Sequence, residues 1–282
     1  MKAEYKPFVD ELIELCIKED IGDGDHTSLS CIPSDEHGRM RLLCKQEGII
    51  AGIEIAQVVF HRLDPEMEFE QVLSDGDRVK PGDVAFYVSG RLRSLLQAER
   101  IILNIMQRMS GVATQTAVYV DRLAGLHTRV LDTRKTTPCL RIFEKAAVEA
   151  GGGANHRYNL SQAVMLKDNH IDAAGGIAAA VAGARAHAPF VCTVEVECED
   201  LDMVREALEA GADIIMLDNM THEQMAEAVA LIDGRAKVEA SGNVDAGNIR
   251  ALADLGVDFI SSGALTHSAP ILDLSLKHLR MV

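Results

Sequence analysis

A pattern of strand, loop and helix repeats six times through the second half of this 282-residue chain. Short apolar strands start near residues 129, 163, 190, 213, 236 and 257, and stretches such as VREALEAG and IRALADLG lie between them. Alternation of this kind predicts right-handed βαβ units and a parallel sheet. Because no GxGxxG fingerprint is present, the pattern favours a closed α/β barrel over a Rossmann sheet.

The first half of the chain has a different pattern of apolar residues and turns. Apolar residues at helical spacing predict a helix over residues 5–19 and a long amphipathic helix from Leu92 to Met109. Gly111 is expected to interrupt that helix before a second one runs to about Leu123. Between the two helical regions, the segment 67–90 reads as short strands with DG, PG and SG turns. The chain therefore predicts two unlike parts.

The overall charge restricts the class of ligand. The chain carries 28 Lys plus Arg against 43 Asp plus Glu, a formal charge of -15, yet cationic side chains cluster between Asp132 and His170. A local cationic cluster in an acidic chain predicts a pocket for a small polyanion and argues against nucleic-acid or membrane surfaces. The sequence lacks CxxC pairs, a signal peptide and an 18-residue apolar run, so we expect reduced thiols and a cytoplasmic, soluble protein.

The cations lie in three motifs, DTRKTTPCLR, ANHRYNL and MLKDNH. Arg134, Lys135 and Arg157 are suited to a carboxylated or phosphorylated ligand, with surface ion pairing as the alternative. His156 is either a hydrogen-bond donor or acid in that site, or a structural residue. Lys167, after an apolar strand, could form a Schiff base or bind a phosphate.

Acidic residues occupy the ends of the next strands. In VEVE, alternation places Glu195 and Glu197 on one face of the strand, and Asp218 follows IIML. Carboxylates there can hold Mg²⁺ or ribose hydroxyls, often through water. We expect this for Glu197 and Asp218, whereas Glu195 is expected to pair with Lys167 or Arg134.

Two turns late in the chain have the character of phosphate sites. EASGN (239–243) and SSGAL (261–265) each follow a strand and precede a helix. Small residues there would leave backbone N–H groups and hydroxyls free for a phosphate. By contrast, EDIGDGDHTS (19–28) lacks the spacing of an EF-hand and reads as a helix exit and turn.

These motifs resemble those of the quinolinate phosphoribosyltransferases, also called carboxylating nicotinate-nucleotide pyrophosphorylases. The matching segments run in order over nearly the whole chain: EDIGDGDHTS, AER with Asn104, MSGVAT, DTRKTTP, GGGANHRYNL, MLKDNH, VEVE, MLDN, EASGN and SSGAL. The resemblance implies transfer of a phosphoribosyl group from phosphoribosyl pyrophosphate to quinolinate. Nicotinate mononucleotide, pyrophosphate and CO₂ would result, with Mg²⁺ required, as a step of NAD biosynthesis.

The resemblance also implies an architecture. An N-terminal α/β sandwich (1–112), joined by the C-terminal tail (268–282), would precede an incomplete parallel α/β barrel (113–267) of about six to seven strands. Members form homodimers or a hexamer of dimers, with one subunit's N-terminal domain capping the barrel of its neighbour.

Residue roles follow from the same resemblance. Arg134, His156 and Arg157 would hold the quinolinate carboxylates beside Thr133 and Lys135, and Arg100 would reach the pocket from the partner subunit. The catalytic residues would be Lys135, Lys167, Glu197 and Asp218, with Glu197 and Asp218 as metal ligands. The phosphate turns would be formed by Ser241, Gly242 and Asn243, and by Ser262, Gly263 and Ala264. Cys139 departs from the family pattern, in which glycine is expected after TTP.

Three other functions remain open from the sequence. A related phosphoribosyltransferase could act on another anionic heterocycle, as the molybdenum-utilisation paralogue does, although the NHR (155–157) and KDNH (167–170) motifs disfavour it. A lysine Schiff-base aldolase would use Lys167. A catalytically silent ligand-binding protein would be expected to lack the strand-end acids Glu197 and Asp218, and both are present.

Overall fold

The structure of the protein is a computed structural model that describes residues 5–281. Predicted domain assignments for residues 1–4 and 282 lie outside the described residues. The elements as far as residue 122 are α1 (Lys6–Ile21), α2 (His26–Cys31), β1 (His37–Cys44), β2 (Gly48–Ile49), α3 (Ile53–Leu63), β3 (Glu68–Gln71), β4 (Arg78–Val79), β5 (Val84–Arg91) and α4 (Leu92–Arg122). The later elements are β6 (Arg129–Leu131), α5 (Arg141–Ala150), β7 (Val164–Leu166), α6 (Asp168–Ala174), α7 (Ile177–His187), β8 (Val194–Cys198), α8 (Leu201–Glu209), β9 (Ile214–Asp218), α9 (His222–Ile232), β10 (Lys237–Ser241), α10 (Ile249–Ala253), β11 (Phe259–Ser261), α11 (Ala264–His267) and β12 (Leu274–Met281).

The chain divides into two compact units. Of the described residues, the first contains 5–117, 137–152 and 269–281, and the second contains 118–136 and 153–268. The predicted domain boundary after residue 112 stays a prediction.

An antiparallel sheet organises the first unit. Its strand order is β12-β1-β5-β3, so the last strand of the chain pairs with the first. Alternate residues of β1 are buried, as expected for a strand with one face on a core. Phe60, Phe69 and Phe86 form an aromatic cluster in that core, with the rings of Phe69 and Phe86 4.6 Å apart at their centroids.

Helix α4 corrects one prediction. It runs without interruption from Leu92 to Arg122, so Gly111 does not break it. A β-carbon at position 111 would lie 1.9 Å from the carbonyl oxygen of Pro270. Gly111 has no side chain, so the chain near Pro270 can approach the helix closely at this position. The packing gained there outweighs the low helix propensity of glycine.

A parallel sheet organises the second unit. The order is β6-β11-β10-β9-β8-β7, and the paired strands are parallel throughout. The prediction of an N-terminal α/β sandwich and an incomplete parallel α/β barrel of about six to seven strands is therefore confirmed, with six strands among residues 5–281. A closed barrel is wrong, because β6 and β7 are the two ends of the described order and are not neighbours in it.

The strand predicted to start at Phe190 is too long. Strand β8 begins at Val194, and Phe190 is 98% exposed. The apolar residues before Val194 belong to a surface loop after α7, which periodicity cannot separate from a buried strand.

All six cysteines are free thiols, and Cys31 and Cys139 are exposed. Among residues 5–281, no helix is long and apolar enough to cross a bilayer.

Candidate active site

The second unit contains a cavity of about 950 Å³ at the carboxyl ends of its parallel strands. Every predicted site residue except Arg100 lines it, because parallel strands bring their carboxyl ends to one edge. These residues are Thr133, Arg134, Lys135, His156, Arg157, Lys167, Glu197, Asp218, Ser241, Gly242, Asn243, Ser262, Gly263 and Ala264. Arg100 lies exposed on α4 in the first unit.

Three cations come from two loops of the cavity wall. Arg134 and Lys135 follow β6 and are exposed, whereas Arg157 is half-buried and donates from Nη1 to the carbonyl oxygen of Ala163 at 3.0 Å. Burial, and then the charge of Arg134, lower the pKa of Arg157. Crowded cations destabilise one another, so this wall is arranged to receive negative charge.

His156 is bonded on both sides of its ring. Its Nδ1 accepts the backbone N–H of Arg157 at 2.8 Å, and its Nε2 lies 3.1 Å from Oε2 of Glu195 and 3.5 Å from Oε2 of Glu239. The backbone N–H of His156 donates to Oδ1 of Asp132 at 2.8 Å. Glu195 on β8 and Glu239 on β10 thus anchor the loop that carries Arg157.

The surroundings of His156 favour the protonated form of its ring. Burial lowers the pKa of His156, but hydrogen bonds and charge from Glu195 and Glu239 outweigh burial and raise the pKa to about 10. Burial also raises the pKa of Glu195. The two buried carboxylates therefore favour a proton on Nε2, the ring nitrogen that faces them.

Glu195 has a different partner from the one expected. Its ion-pair partner is His156, in place of Lys167 or Arg134. Glu195 and Glu239 are 2% and 1% exposed, and Oε1 of each lies buried without a hydrogen bond. The strand alternation predicted an inward Glu195, but only the fold brings the 153–157 loop over it.

A second charged pair lies in the cavity itself. Nζ of Lys167 is 2.5 Å from Oε2 of Glu197, whose side chain is largely buried. On the neighbouring strand, Oδ2 of Asp218 accepts from Nδ2 of Asn219 at 2.8 Å. The expected functional carboxylates therefore have partners that fix their orientation.

The second of the two late turns is bonded to β6 and to the residue that follows the first turn. Ser262 donates its N–H to the carbonyl oxygen of Leu131 at 3.0 Å and its hydroxyl to that of Val244 at 3.1 Å. The expectation of free hydroxyls in both turns is therefore wrong for Ser262, which shapes its turn. Ser241 accepts the N–H of Asn219 on its carbonyl oxygen at 3.2 Å.

Several cavity residues received no role from the sequence. Glu239 and Asn219 are polar residues at strand ends, and this position is the signal by which they could have been found. His267, also in the lining, had no signal because it lies on the short helix α11 after the last turn.

The donors of the cavity fit the Mg²⁺ that the resemblance implies. Glu197 and Asp218 provide hard carboxylate oxygens on adjacent strands. Mg²⁺ is commonly bound through one or two carboxylates together with water and substrate phosphates. These two residues would hold it.

A barrel that presents cations and carboxylates to one cavity at its carboxyl edge defines an enzyme that acts on a polyanionic substrate. Comparison with known families identifies which one. The model for the C-terminal domain of quinolinate phosphoribosyl transferase matches residues 112–277, and the model for the N-terminal domain matches residues 25–110. The chain therefore belongs to the quinolinate phosphoribosyltransferase family.

Individual relatives agree over nearly the full length. A probable nicotinate-nucleotide pyrophosphorylase (carboxylating) of Synechocystis is 44% identical over 275 residues, which cover 96% of this chain and 93% of that protein. The crystal structure of NadC from Streptococcus pyogenes is 46% identical, covers 97% of both chains and has a TM-score of 0.94. The nicotinate-nucleotide pyrophosphorylase of Francisella tularensis is 39% identical, covers 97% of this chain and 96% of its own, and has a TM-score of 0.90.

Proposed function

We propose that the protein transfers the phosphoribosyl group of phosphoribosyl pyrophosphate to quinolinate, giving nicotinate mononucleotide, pyrophosphate and CO₂ for NAD biosynthesis. The single observation that carries the proposal is the composition of the cavity, with Arg134, Lys135 and Arg157 on one wall and the Lys167–Glu197 pair and Asp218 on the strand ends. Cations suit a dicarboxylate, and carboxylates suit a ribose and its metal ion. Relatives that carry the name of this activity support the same substrates.

Arg134, Lys135 and Arg157 bind the two carboxylates of quinolinate. His156 acts through Arg157, since both of its ring nitrogens are bonded within the protein. This replaces the predicted role of His156 as a direct carboxylate ligand. A pocket built for two carboxylates rejects nicotinate, because an arginine left without its partner loses binding free energy.

The pyridine nitrogen attacks the ribose carbon as pyrophosphate departs, and positive charge develops on the sugar. Glu197 and Asp218 stabilise that positive charge, and Lys167 stabilises the negative charge of the leaving group. Bound Mg²⁺ would supply further charge neutralisation at the pyrophosphate. The turns of Ser241–Asn243 and Ser262–Ala264 hold phosphate oxygens.

Decarboxylation needs no nucleophile from the protein. Once the pyridine nitrogen is bonded to the ribose, the ring carries a positive charge. The carbon–carbon bond to the neighbouring carboxylate breaks, its electron pair stays on the ring carbon, and a proton from solvent replaces CO₂. Nζ of Lys167 is engaged by Oε2 of Glu197 at 2.5 Å, whereas a Schiff-base aldolase needs a lysine amine that is free to attack a carbonyl carbon.

An end-point assay tests the function. Purified protein is incubated with phosphoribosyl pyrophosphate and Mg²⁺, with quinolinate in one reaction and nicotinate in another, and nicotinate mononucleotide is measured by mass. A third reaction contains quinolinate with a chelator. Product from quinolinate alone, abolished by the chelator, is expected. A folded protein that binds phosphoribosyl pyrophosphate but makes no product would contradict the proposal in favour of the paralogue or the silent binder.

The proposal includes an assembly and a location. We expect a homodimer, or a hexamer of dimers, in which Arg100 completes the site of the partner subunit; the exposure of Arg100 on α4 is compatible with this. Arg100→Ala and Arg157→Ala should each be inactive, and co-refolding the two variants should restore activity in mixed dimers. Mixed dimers without recovered activity would show that Arg100 acts within its own subunit. A cytoplasmic location is testable by cell fractionation.

A further inference from the structure

Two asparagines at the cavity adopt a backbone conformation that favours glycine. Asn219 has φ 54° and Asn243 has φ 49°, and among residues 5–281 only Cys139 and Asp233 are further non-glycine residues with positive φ. The left-handed region is unfavourable for L-residues, although asparagine tolerates it better than most. Unfavourable backbone kept in this way concentrates at functional sites.

Asn219 joins two parts of the site that lie on different strands. Its Nδ2 donates to Oδ2 of Asp218 at 2.8 Å, and its backbone N–H donates to the carbonyl oxygen of Ser241 at 3.2 Å. Its Oδ1 accepts from Nδ2 of Asn243 at 3.4 Å. The carboxylate at the end of β9 and the turn that begins at the end of β10 are therefore both bonded to one residue.

Gly242 matches the position of the Asn219 side chain. A β-carbon on Gly242 would lie 2.2 Å from Oδ1 and 2.8 Å from Cγ of Asn219, so any other residue there would displace the amide. Gly242 itself has φ 96°. The amide of Asn219 therefore occupies the space that a side chain at position 242 would need.

We propose that Asn219 is a positioning residue for the phosphoribosyl pyrophosphate half of the site, an inference that rests on the proposed function. Its amide fixes the orientation of the Asp218 carboxylate and holds the 241–243 turn in register with it. Partners of this kind, which orient a ligand-binding carboxylate without touching the ligand, commonly change affinity or activity 10–100-fold when removed.

Two substitutions separate this role from a structural one. Asn219→Gly relieves the positive φ and keeps the backbone bond to Ser241, but removes both amide bonds. Asn219→Asp keeps the shape and tolerates positive φ, but removes the donor to Asp218 and adds a negative charge beside it. Asp233→Gly is the matched control, since Asp233 has φ 45° at the end of α9 and does not line the cavity.

The measurement is calorimetric binding of phosphoribosyl pyrophosphate with Mg²⁺, and of quinolinate in a separate titration, together with the Tm of each variant. For Asn219→Gly, we expect the Kd of phosphoribosyl pyrophosphate to rise about tenfold or more. Its Kd for quinolinate should stay unchanged, and its Tm should be equal to or above that of the unsubstituted protein. Asn219→Asp should weaken phosphoribosyl pyrophosphate binding as well, and Asp233→Gly should leave both affinities unchanged.

Unchanged binding of phosphoribosyl pyrophosphate to both Asn219 variants would overturn the inference. So would a fall in Tm with equal weakening for both ligands, since that pattern indicates a purely structural residue. If the unsubstituted protein neither binds phosphoribosyl pyrophosphate nor forms product, the proposed function itself fails. The two failures are therefore distinguishable.

Discussion

Nε2 of His156 lies 3.1 Å from Oε2 of Glu195, and that carboxylate is almost completely buried. The ring pKa is raised from 6.5 to about 10, so the folded protein binds more protons than the unfolded chain between these pH values. The contribution of His156 to stability is present below its unfolded pKa near 6.5 and is lost as the pH rises towards 10.

We therefore expect the Tm of the protein to fall between pH 6.5 and 10. One proton changes the free energy of unfolding by at most about 1.4 kcal/mol per pH unit. His156→Gln should flatten this dependence, whereas His187→Gln, an exposed histidine at the end of α7, should leave it unchanged. Equal slopes for His156→Gln and the unsubstituted protein would show that the pair does not control the titration.

Arg157→Ala should remove most activity with quinolinate. Leaving a carboxylate in the pocket without its cation costs about 2–5 kcal/mol, so kcat/KM should fall roughly 100-fold or more. Arg157→Lys should recover only part of the loss, because lysine lacks the planar fork. Arg205→Ala, an exposed arginine paired with Asp202 on α8, is the control. Near-normal turnover of Arg157→Ala would remove this residue from the site.

Lys167 and Glu197 should act as a unit. Either Lys167→Ala or Glu197→Gln should raise the KM for phosphoribosyl pyrophosphate, and the double variant should lose less than the sum of the two single effects. Groups in direct contact show interaction energies of about 0.5–3 kcal/mol in such cycles. Lys237 lies at the start of β10 and forms an ion pair with Asp258. Lys237→Gln, which breaks this pair, should leave the KM for phosphoribosyl pyrophosphate unchanged. Strictly additive effects would show that the 2.5 Å contact between Lys167 and Glu197 does not contribute to the binding of phosphoribosyl pyrophosphate.

Cys139 has φ 65°, which explains why glycine is the residue expected there. The left-handed region costs a non-glycine residue about 1–2 kcal/mol, and the greater entropy loss of glycine offsets about 0.5–1 kcal/mol of that. Cys139→Gly should therefore raise the free energy of unfolding by up to about 1 kcal/mol in urea titrations. Cys31→Gly, in the helical backbone of α2, should lower it. A loss of stability in Cys139→Gly would contradict the assignment of strain to this residue.

Two helical glycines should respond in opposite directions to alanine. Gly111→Ala places a methyl group 1.9 Å from the carbonyl oxygen of Pro270, so it should lower the free energy of unfolding by about 1–3 kcal/mol or more. Gly183→Ala on α7 meets no atom within 4 Å and should raise it by about 0.5–1 kcal/mol. Urea titration compares the two directly, and equal effects would show that contact with Pro270 does not govern position 111.

The cavity residues could be found from the sequence because their positions follow from a local rule. Each apolar strand ends in polar residues, and parallel strands place these ends together whatever the exact packing. Lys167, Glu197 and Asp218 were predicted on this basis, and all three line the cavity. The position of Asn219 after a strand can also be read from the sequence. Its positioning role cannot, because its bonds to Ser241 and Asn243 join segments that are distant in the chain.

The sequence by itself determined the alternation of strands and helices, the acidic balance and the identity of the side chains at the strand ends. Only the tertiary structure decided that α4 continues through Gly111, that β6 and β7 are the strands at the two ends of the incomplete barrel, and that His156 pairs with Glu195. The physical reason is the range of the interactions. Periodicity reports how one segment meets a core, whereas backbone approach at Gly111, strand closure and the partners of a buried imidazole depend on segments far apart in the chain.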